Sequence, residues 1–139
     1  MNEQEFKDRT KQLGLRVIQM LEEIPRSSLV EVLGRQLLRS ATSVGANYRA
    51  ACRGRSNADV IAKLGVVEEE TDETLYWLEM FREARLAPQV TLDPLMSDAD
   101  EILAMVVASI KTLRSRNTHA RRELLVVQSK IQNPKSKIC

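Results

Sequence analysis

Residues 36–79 contain two long runs in which apolar residues recur at alternating steps of three and four, with Gly54 between the runs. This spacing keeps one apolar stripe on one side of an α-helix, whereas a β-strand requires a period of two. The same spacing recurs before and after these residues. We expect the inward stripes to be Phe6, Leu13, Val17, Met20 and Ile24; Val30, Leu33, Leu37, Ala41, Val44, Tyr48 and Ala51; Val60, Leu64, Val67, Thr71, Leu75, Leu78 and Phe81; and Ile102, Val106, Ser109 and Leu113.

Each predicted helix begins with a polar residue that is followed three positions later by an acid, a pattern typical of a capping box. The pairs are Asn2/Glu5, Ser28/Glu31, Ser56/Asp59 and Ser97/Asp100, and Pro25, Gly54 and Pro88 mark the stops. Short connections make neighbouring helices antiparallel. The sequence therefore predicts an all-α fold, an antiparallel up-down-up-down four-helix bundle over residues 1–117. Residues 118–139 form a basic C-terminal tail that we expect to be partly disordered, although its ELLVV stretch can extend or dock as a helix.

Length and composition limit the class of protein. The chain has 139 residues, enough for one domain, and only 4% aromatic residues. The start MNEQEFKDRT has no apolar region of a signal peptide, and no stretch approaches the roughly 20 apolar residues of a membrane span. The two cysteines, Cys52 and Cys139, lie far apart. We therefore expect a cytoplasmic protein with free thiols and no membrane partner.

Charge is segregated along the chain although the net charge is only +2. Residues 28–55 contain five arginines against one glutamate, and residues 56–87 contain eight acids against three basic side chains. Four further acids lie in residues 88–110, and the remaining residues to 139 carry eight basic side chains against one glutamate. A basic and an acidic surface therefore coexist on one small domain.

The second predicted helix carries a stripe of arginines opposite its apolar side. At about 100° per residue, four of them fall within an arc of roughly 80°. The candidate nucleic-acid-binding residues are Arg35, Arg39, Arg49 and Arg53, with Arg55 and Lys63 near the end of the stripe. Such a stripe can contact phosphates without reading base sequence. It can equally be a solvated helix face, or pair with acids of a neighbouring subunit.

The third predicted helix has an apolar face opposite its core stripe. Val66, Trp77 and Met80 lie there, with Glu70 and Glu73 alongside. A buried Trp is a common anchor of protein interfaces, so these five residues are the candidate oligomer interface. The alternative is that the C-terminal tail covers this face.

The sequence offers no catalytic constellation. His119 is the only histidine, so neither a catalytic triad nor a histidine-based metal site can be built. The five glycines are scattered and form no phosphate-binding loop. We expect a protein that is not an enzyme and needs no cofactor or metal.

The segment QLLRSATSVGANYRAACRGRSNADVIAKLG, followed by EEETDETLYWLE, resembles the four-helix bundle family named for proteins encoded in 23S rRNA intervening sequences. The resemblance covers most of residues 6–116. Matching positions are Arg39, Ser43, Val44, Asn47 and Ser56 in helix 2 and its turn, and Leu64, Glu69 and Leu75 in helix 3. Many members have a Pro and an Asn-Ile-Ala-Glu-Gly run where this chain has Gly45 and residues 47–51, so Arg49 does not belong to the commoner pattern.

The resemblance implies a ring-like homopentamer. It also implies kinship with the accessory proteins of diversity-generating retroelements, which bind a reverse transcriptase and nucleic acid. The leading interpretation is an oligomeric helical bundle that binds RNA or another nucleic acid, with RNA or a nucleic-acid enzyme as partner. The alternative is a protein-binding or structural scaffold whose Arg and Glu faces mediate subunit contacts.

Overall fold

The computed structural model describes residues 1–132, which form four helices. Helix α1 spans Glu3–Glu23, α2 Ser28–Ala51, α3 Asn57–Glu83 and α4 Gln89–Gln132. Each helix packs on the next, and α1 also packs on α4. This confirms the predicted antiparallel four-helix bundle.

The caps confirm two of the four predicted helix starts. Asn2 and Glu5 form a complete capping box, and Ser56 accepts a hydrogen bond from the Asp59 amide at 3.1 Å. The predicted cap at Ser28 is wrong by one residue, because the Ser27 hydroxyl accepts from the Val30 amide instead. An N-cap oxygen of this kind satisfies a backbone N–H that the helix itself leaves without a partner.

The predicted start of the fourth helix at Ser97 is also wrong. Helix α4 begins at Gln89, directly after Pro88, and contains Pro94 in its second turn. Proline removes one backbone donor, but Leu92 and Leu95 are fully buried in this first part of the helix. Burying each leucine contributes about 1.5–3 kcal/mol, which outweighs one lost hydrogen bond.

The core follows the predicted stripes closely. Most predicted positions in α1, α2 and α3 are buried, and the other four, Leu33, Tyr48, Val60 and Leu75, are partly buried against the core. In α4 the predicted Ser109 is exposed and Ile110 is buried in its place. Ile110 is the last fully buried residue of α4, and among residues 111–131 only Leu113 and Asn117 are partly buried. The helix continues to Gln132 across the predicted boundary at residue 117. The disorder predicted for the last residues of the tail lies outside the described residues.

The glycine between α2 and α3 is required by close packing. Gly54 does not adopt positive φ, yet a Cβ atom there would lie 2.3 Å from the Val60 side chain. Among residues 1–132, Arg85 is the non-glycine residue with a positive φ, of 56°, and it ends α3. In this conformation the Leu86 amide donates to the Phe81 carbonyl at 2.9 Å.

No helix within residues 1–132 is both long and apolar enough to cross a membrane.

Candidate nucleic-acid interface

Helices α1 and α2 approach each other closely because glycines face the partner backbone. A Cβ atom on Gly45 would lie 3.3 Å from the backbone atoms of Thr10 and Lys11, and one on Gly14 would lie 3.4 Å from Thr42 Cα. The buried Thr10 hydroxyl donates to backbone carbonyls of its own helix, those of Phe6 and Lys7. A groove runs along the outside of this helix pair and is bordered by longer side chains of α1 and α2.

This groove encloses about 510 Å³ and is rich in cations. Its charged lining consists of Lys7 and Lys11 from α1, Arg49 and Arg53 from α2, and Asp8. Lys7 forms an exposed ion pair with Glu3 at 3.2 Å. Within residues 1–132, neither Arg49 nor Arg53 forms an ion pair. The groove therefore presents four positive side chains against one carboxylate.

Arg39 has a different environment at the boundary between α2 and α3. Its guanidinium lies 3.2 Å from the Glu70 carboxylate and also pairs with Glu73. Glu73 accepts a further hydrogen bond from the Trp77 indole at 3.2 Å. The guanidinium of Arg39 lowers the pKa of Glu73 below the ordinary carboxyl range, and Glu73 and Glu70 in turn raise the pKa of Arg39. Arg39 is thus paired with acids of its own chain.

The remaining candidate cations are dispersed. Arg35 lines a separate shallow groove with Arg26 and Glu31. Lys63 forms an ion pair with Asp59 at 3.0 Å, and the backbone amide of Arg55 donates to the same carboxylate. The six predicted cations therefore do not form one continuous stripe. The structure brings only Arg49 and Arg53 together over the α1–α2 groove.

The spacing of residues within one helix does not identify Lys7 and Lys11 as part of this cluster, because the cluster combines residues of two helices. They reach Arg49 and Arg53 only through the register of the α1–α2 hairpin, which places Lys11 against Gly45. A glycine in the middle of each of two consecutive helices was the available signal, since glycine is unfavourable in a helix interior unless another backbone approaches.

The predicted oligomer residues lie along one flank of α3. Val66 is exposed to 38%, and Met80 is partly buried. Trp77 is partly buried against the core and contacts Tyr76 edge to face at 5.0 Å between ring centroids. Glu70 and Glu73 are the two acids that hold Arg39. Trp77 is therefore linked through Glu73 to Arg39 of α2 and does not point straight away from the core.

A second cavity, of about 530 Å³, lies at the end of the bundle where α1 begins. Its polar lining includes Glu3, Tyr48 and Cys52. Burial, and then the hydrogen bond with Glu3, raises the pKa of the Cys52 thiol. An activated cysteine nucleophile requires the opposite shift, so this thiol is not primed for catalysis.

Comparisons with known proteins agree with the fold. A family model described as 23S rRNA-intervening sequence protein matches residues 2–108. The crystal structure of a protein of unknown function from the S23 ribosomal protein family of Bacteroides thetaiotaomicron is similar, with 31% identity and a TM-score of 0.73. The match covers 80% of this chain and 99% of that chain. A search of curated proteins finds no match.

Proposed function

Because the chain belongs to the family of 23S rRNA-intervening sequence proteins, we propose that it is a non-enzymatic, self-associating helical bundle that binds RNA or another nucleic acid. The observation that carries this proposal is the cluster of Lys7, Lys11, Arg49 and Arg53 around the α1–α2 groove. Of these four cations, Lys11, Arg49 and Arg53 form no ion pair within residues 1–132. Cations that are not already neutralised by acids can replace the counterions of a phosphate backbone, which makes such binding favourable and salt-dependent.

The form of the groove supports contact with the backbone of a nucleic acid. No Phe, Tyr or Trp belongs to its lining, so it offers no platform on which bases stack. Backbone contacts position a nucleic acid without reading its sequence. We therefore expect binding with little sequence preference.

A salt titration of RNA binding tests this proposal. Arg49→Ala/Arg53→Ala removes two phosphate contacts, so affinity should fall for all sequences, and the slope of log affinity against log salt should flatten by roughly 0.7–0.9 per contact. The matched control is Arg82→Ala/Lys111→Ala, which removes two exposed charges from α3 and α4. Equal losses in the two proteins would mean that only net charge matters, and unchanged binding in the groove variant would contradict the proposal.

Self-association is the second part of the proposal, and the pentameric ring implied by the family is its expected form. Trp77 and Met80 supply an incompletely buried apolar flank on α3. Trp77→Ala should dissociate the oligomer while circular dichroism shows that helicity is largely retained. Light scattering that shows a monomer of the unmodified protein at tens of micromolar would rule this part out.

A protein-binding or assembly scaffold is the second candidate function, and Arg39 is the observation that favours it. Its two ion pairs with Glu70 and Glu73 connect α2 to α3, so at least one arginine of the predicted stripe already has a structural role. Because Arg39 holds two acids of the predicted oligomer interface, Arg39→Ala would in that case change assembly. Removal of Arg49 and Arg53 would leave RNA binding unaltered. The two functions are therefore separable with the same proteins.

A further inference from the structure

The end of α4 extends beyond the bundle as a helix without covering. Residues 114–132, which we call the overhang, would span about 28 Å at 1.5 Å per residue. Every side chain from 114 to 131 is exposed except that of Asn117, which is partly buried. The buried residues of α4 recur at steps of three and four, and this spacing continues into the overhang. The residues at this spacing, which we call the band, are Leu113, Asn117, Ala120, Leu124, Val127 and Ile131.

An apolar band of this kind requires a partner. Leu124, Val127 and Ile131 are exposed to 58%, 52% and 69%. A helix gains most of its stability in proteins from packing such a face, and a contiguous exposed apolar face marks an interaction site. The family model ends at residue 108, so the overhang lies outside the residues that this chain shares with the family profile.

The chain cannot cover the overhang with its own α3. Leu113 and Arg116 lie beside Val60 and Leu64, at the first turns of α3, where they line the same cavity. Because α3 and α4 are antiparallel, the later residues of α4 run past the start of α3 and away from it. Since α4 is one continuous helix to Gln132, the overhang does not fold back onto the bundle.

The charges beside the band determine which partner fits. Arg114 and Arg121 flank one side of the band, Arg116 and Lys130 flank the other, and Glu123 is the one acid among residues 114–132. Two overhangs packed side by side would place these like charges together, which destabilises paired helices. An acidic surface with an apolar centre is the complementary partner.

The outer face of α3 has this character. Its exposed acids are Glu69, Asp72, Glu79 and Glu83, and Tyr76 lies among them with 52% of its surface exposed. Within residues 1–132 none of these four acids forms an ion pair. The acids span about 21 Å along the helix, a length comparable to that of the overhang.

We propose that the overhang of one copy docks along the outer face of α3 in a second copy. The contact is heterologous, because the overhang meets a different surface, and such contacts close into rings when the rotation permits. The inference rests on the self-association part of the proposed function and is independent of nucleic-acid binding.

Sedimentation velocity of two neighbouring leucine variants tests the apolar band. Leu124 lies on the band, whereas Leu125 lies about 100° away around the helix and is similarly exposed, at 63%. Leu124→Ser should weaken self-association by about tenfold or more, as expected for an interface anchor, and Leu125→Ser should leave it near that of the unmodified protein. Equal effects of the two substitutions, or no effect of Leu124→Ser, would overturn the proposal.

A mixing experiment tests whether two different surfaces meet. Leu124→Ser/Val127→Ser disables the overhang, and Tyr76→Ser/Glu79→Lys disables the face, so each protein alone should lose self-association. A mixture retains one intact overhang and one intact face, and it should form a one-to-one complex. A mixture that associates no more than its components would overturn the proposal.

RNA titrations of the same proteins separate this inference from the proposed function. Overhang variants that lose RNA affinity while sedimentation is unchanged would show that the overhang contacts nucleic acid, which contradicts docking on α3. Association that depends on Trp77 but not on Leu124 would leave the proposed self-association standing and overturn only this inference. Loss of RNA binding in Arg49→Ala/Arg53→Ala, with association and its dependence on Leu124 intact, would support both.

Discussion

The α1–α2 groove and the outer face of α3 are both formed by α-helices but have opposite charge. Their glycines also differ in what surrounds them. In the groove, Gly45 faces the backbone of α1, whereas a Cβ atom on Gly65 in α3 would meet nothing within 4 Å. Arg49 and Arg53 border the groove, while exposed carboxylates cover the outer face of α3. Close packing of α1 on α2 therefore shapes the groove, and the groove and the outer face of α3 differ in charge because residues 28–55 are basic and residues 56–87 are acidic.

Substitution of the two glycines, Gly45 and Gly65, is expected to have the largest effect on the stability of the fold. Gly45→Ala should lower the free energy of unfolding by about 1–3 kcal/mol, because the new methyl group must separate two helix backbones. Gly65→Ala should raise it by about 0.5–1 kcal/mol, since alanine is the better helix former and space is available. Urea denaturation at low protein concentration measures both. A stabilising Gly45→Ala substitution would contradict the close approach of α1 and α2.

Substitution of serines at a helix start is expected to have the next largest effect on stability, and it tests where α3 and α4 begin. Ser56→Ala should destabilise the protein by about 1 kcal/mol, because the Asp59 amide at the start of α3 loses its acceptor. Ser97→Ala is the matched control in the interior of α4 and should change stability by no more than about 0.5 kcal/mol. A comparable loss in the two variants would restore Ser97 as a helix start.

Arg39 and Arg49 should differ in how they affect stability as pH changes. The pKa of Glu73 is lowered in the folded state, so its ion pair stabilises the fold above the ordinary carboxyl pKa, and this contribution is lost as pH falls through the lowered value. The melting temperature of Arg39→Ala should therefore lie slightly below that of the unmodified protein at pH 7, and the gap should close in acid. Arg49→Ala should show no such closing gap, and a gap for Arg39→Ala that does not change with pH would argue against the pair.

The smallest expected effect concerns the reactivity of the Cys52 thiol, at the end of the α1–α2 pair. The raised pKa of Cys52 should make it react with Ellman's reagent more slowly at pH 8 than an exposed thiol does. The Cys139→Ser protein leaves Cys52 as the one thiol of the chain. Glu3→Gln in that background should speed the reaction, because it removes the neighbouring negative charge. An unchanged rate would mean that burial alone sets the reactivity.

The sequence predicted the bundle well because its core depends on spacing within single helices. The predicted start of α4 is wrong because the Ser97/Asp100 pair suggested a cap, whereas the burial of Leu92 and Leu95 extends the helix back to Gln89. Contacts between residues of two different helices could not be predicted in this way. The pairing of Arg39 with the acids of α3 depends on how two helices align, and so does the approach of Lys11 to Gly45. No helical projection of one segment contains that information.

We propose that nucleic acid contacts the α1–α2 groove and does not contact the outer face of α3. The most direct test is a residue-by-residue map of amide chemical-shift changes when a short single-stranded RNA is titrated into the labelled protein. We expect the largest changes around Lys7, Lys11, Arg49 and Arg53, with little change around Tyr76, and all changes should diminish as salt is raised. Changes centred on α3, or on Arg39 instead of the groove, would show that nucleic acid does not bind in the groove.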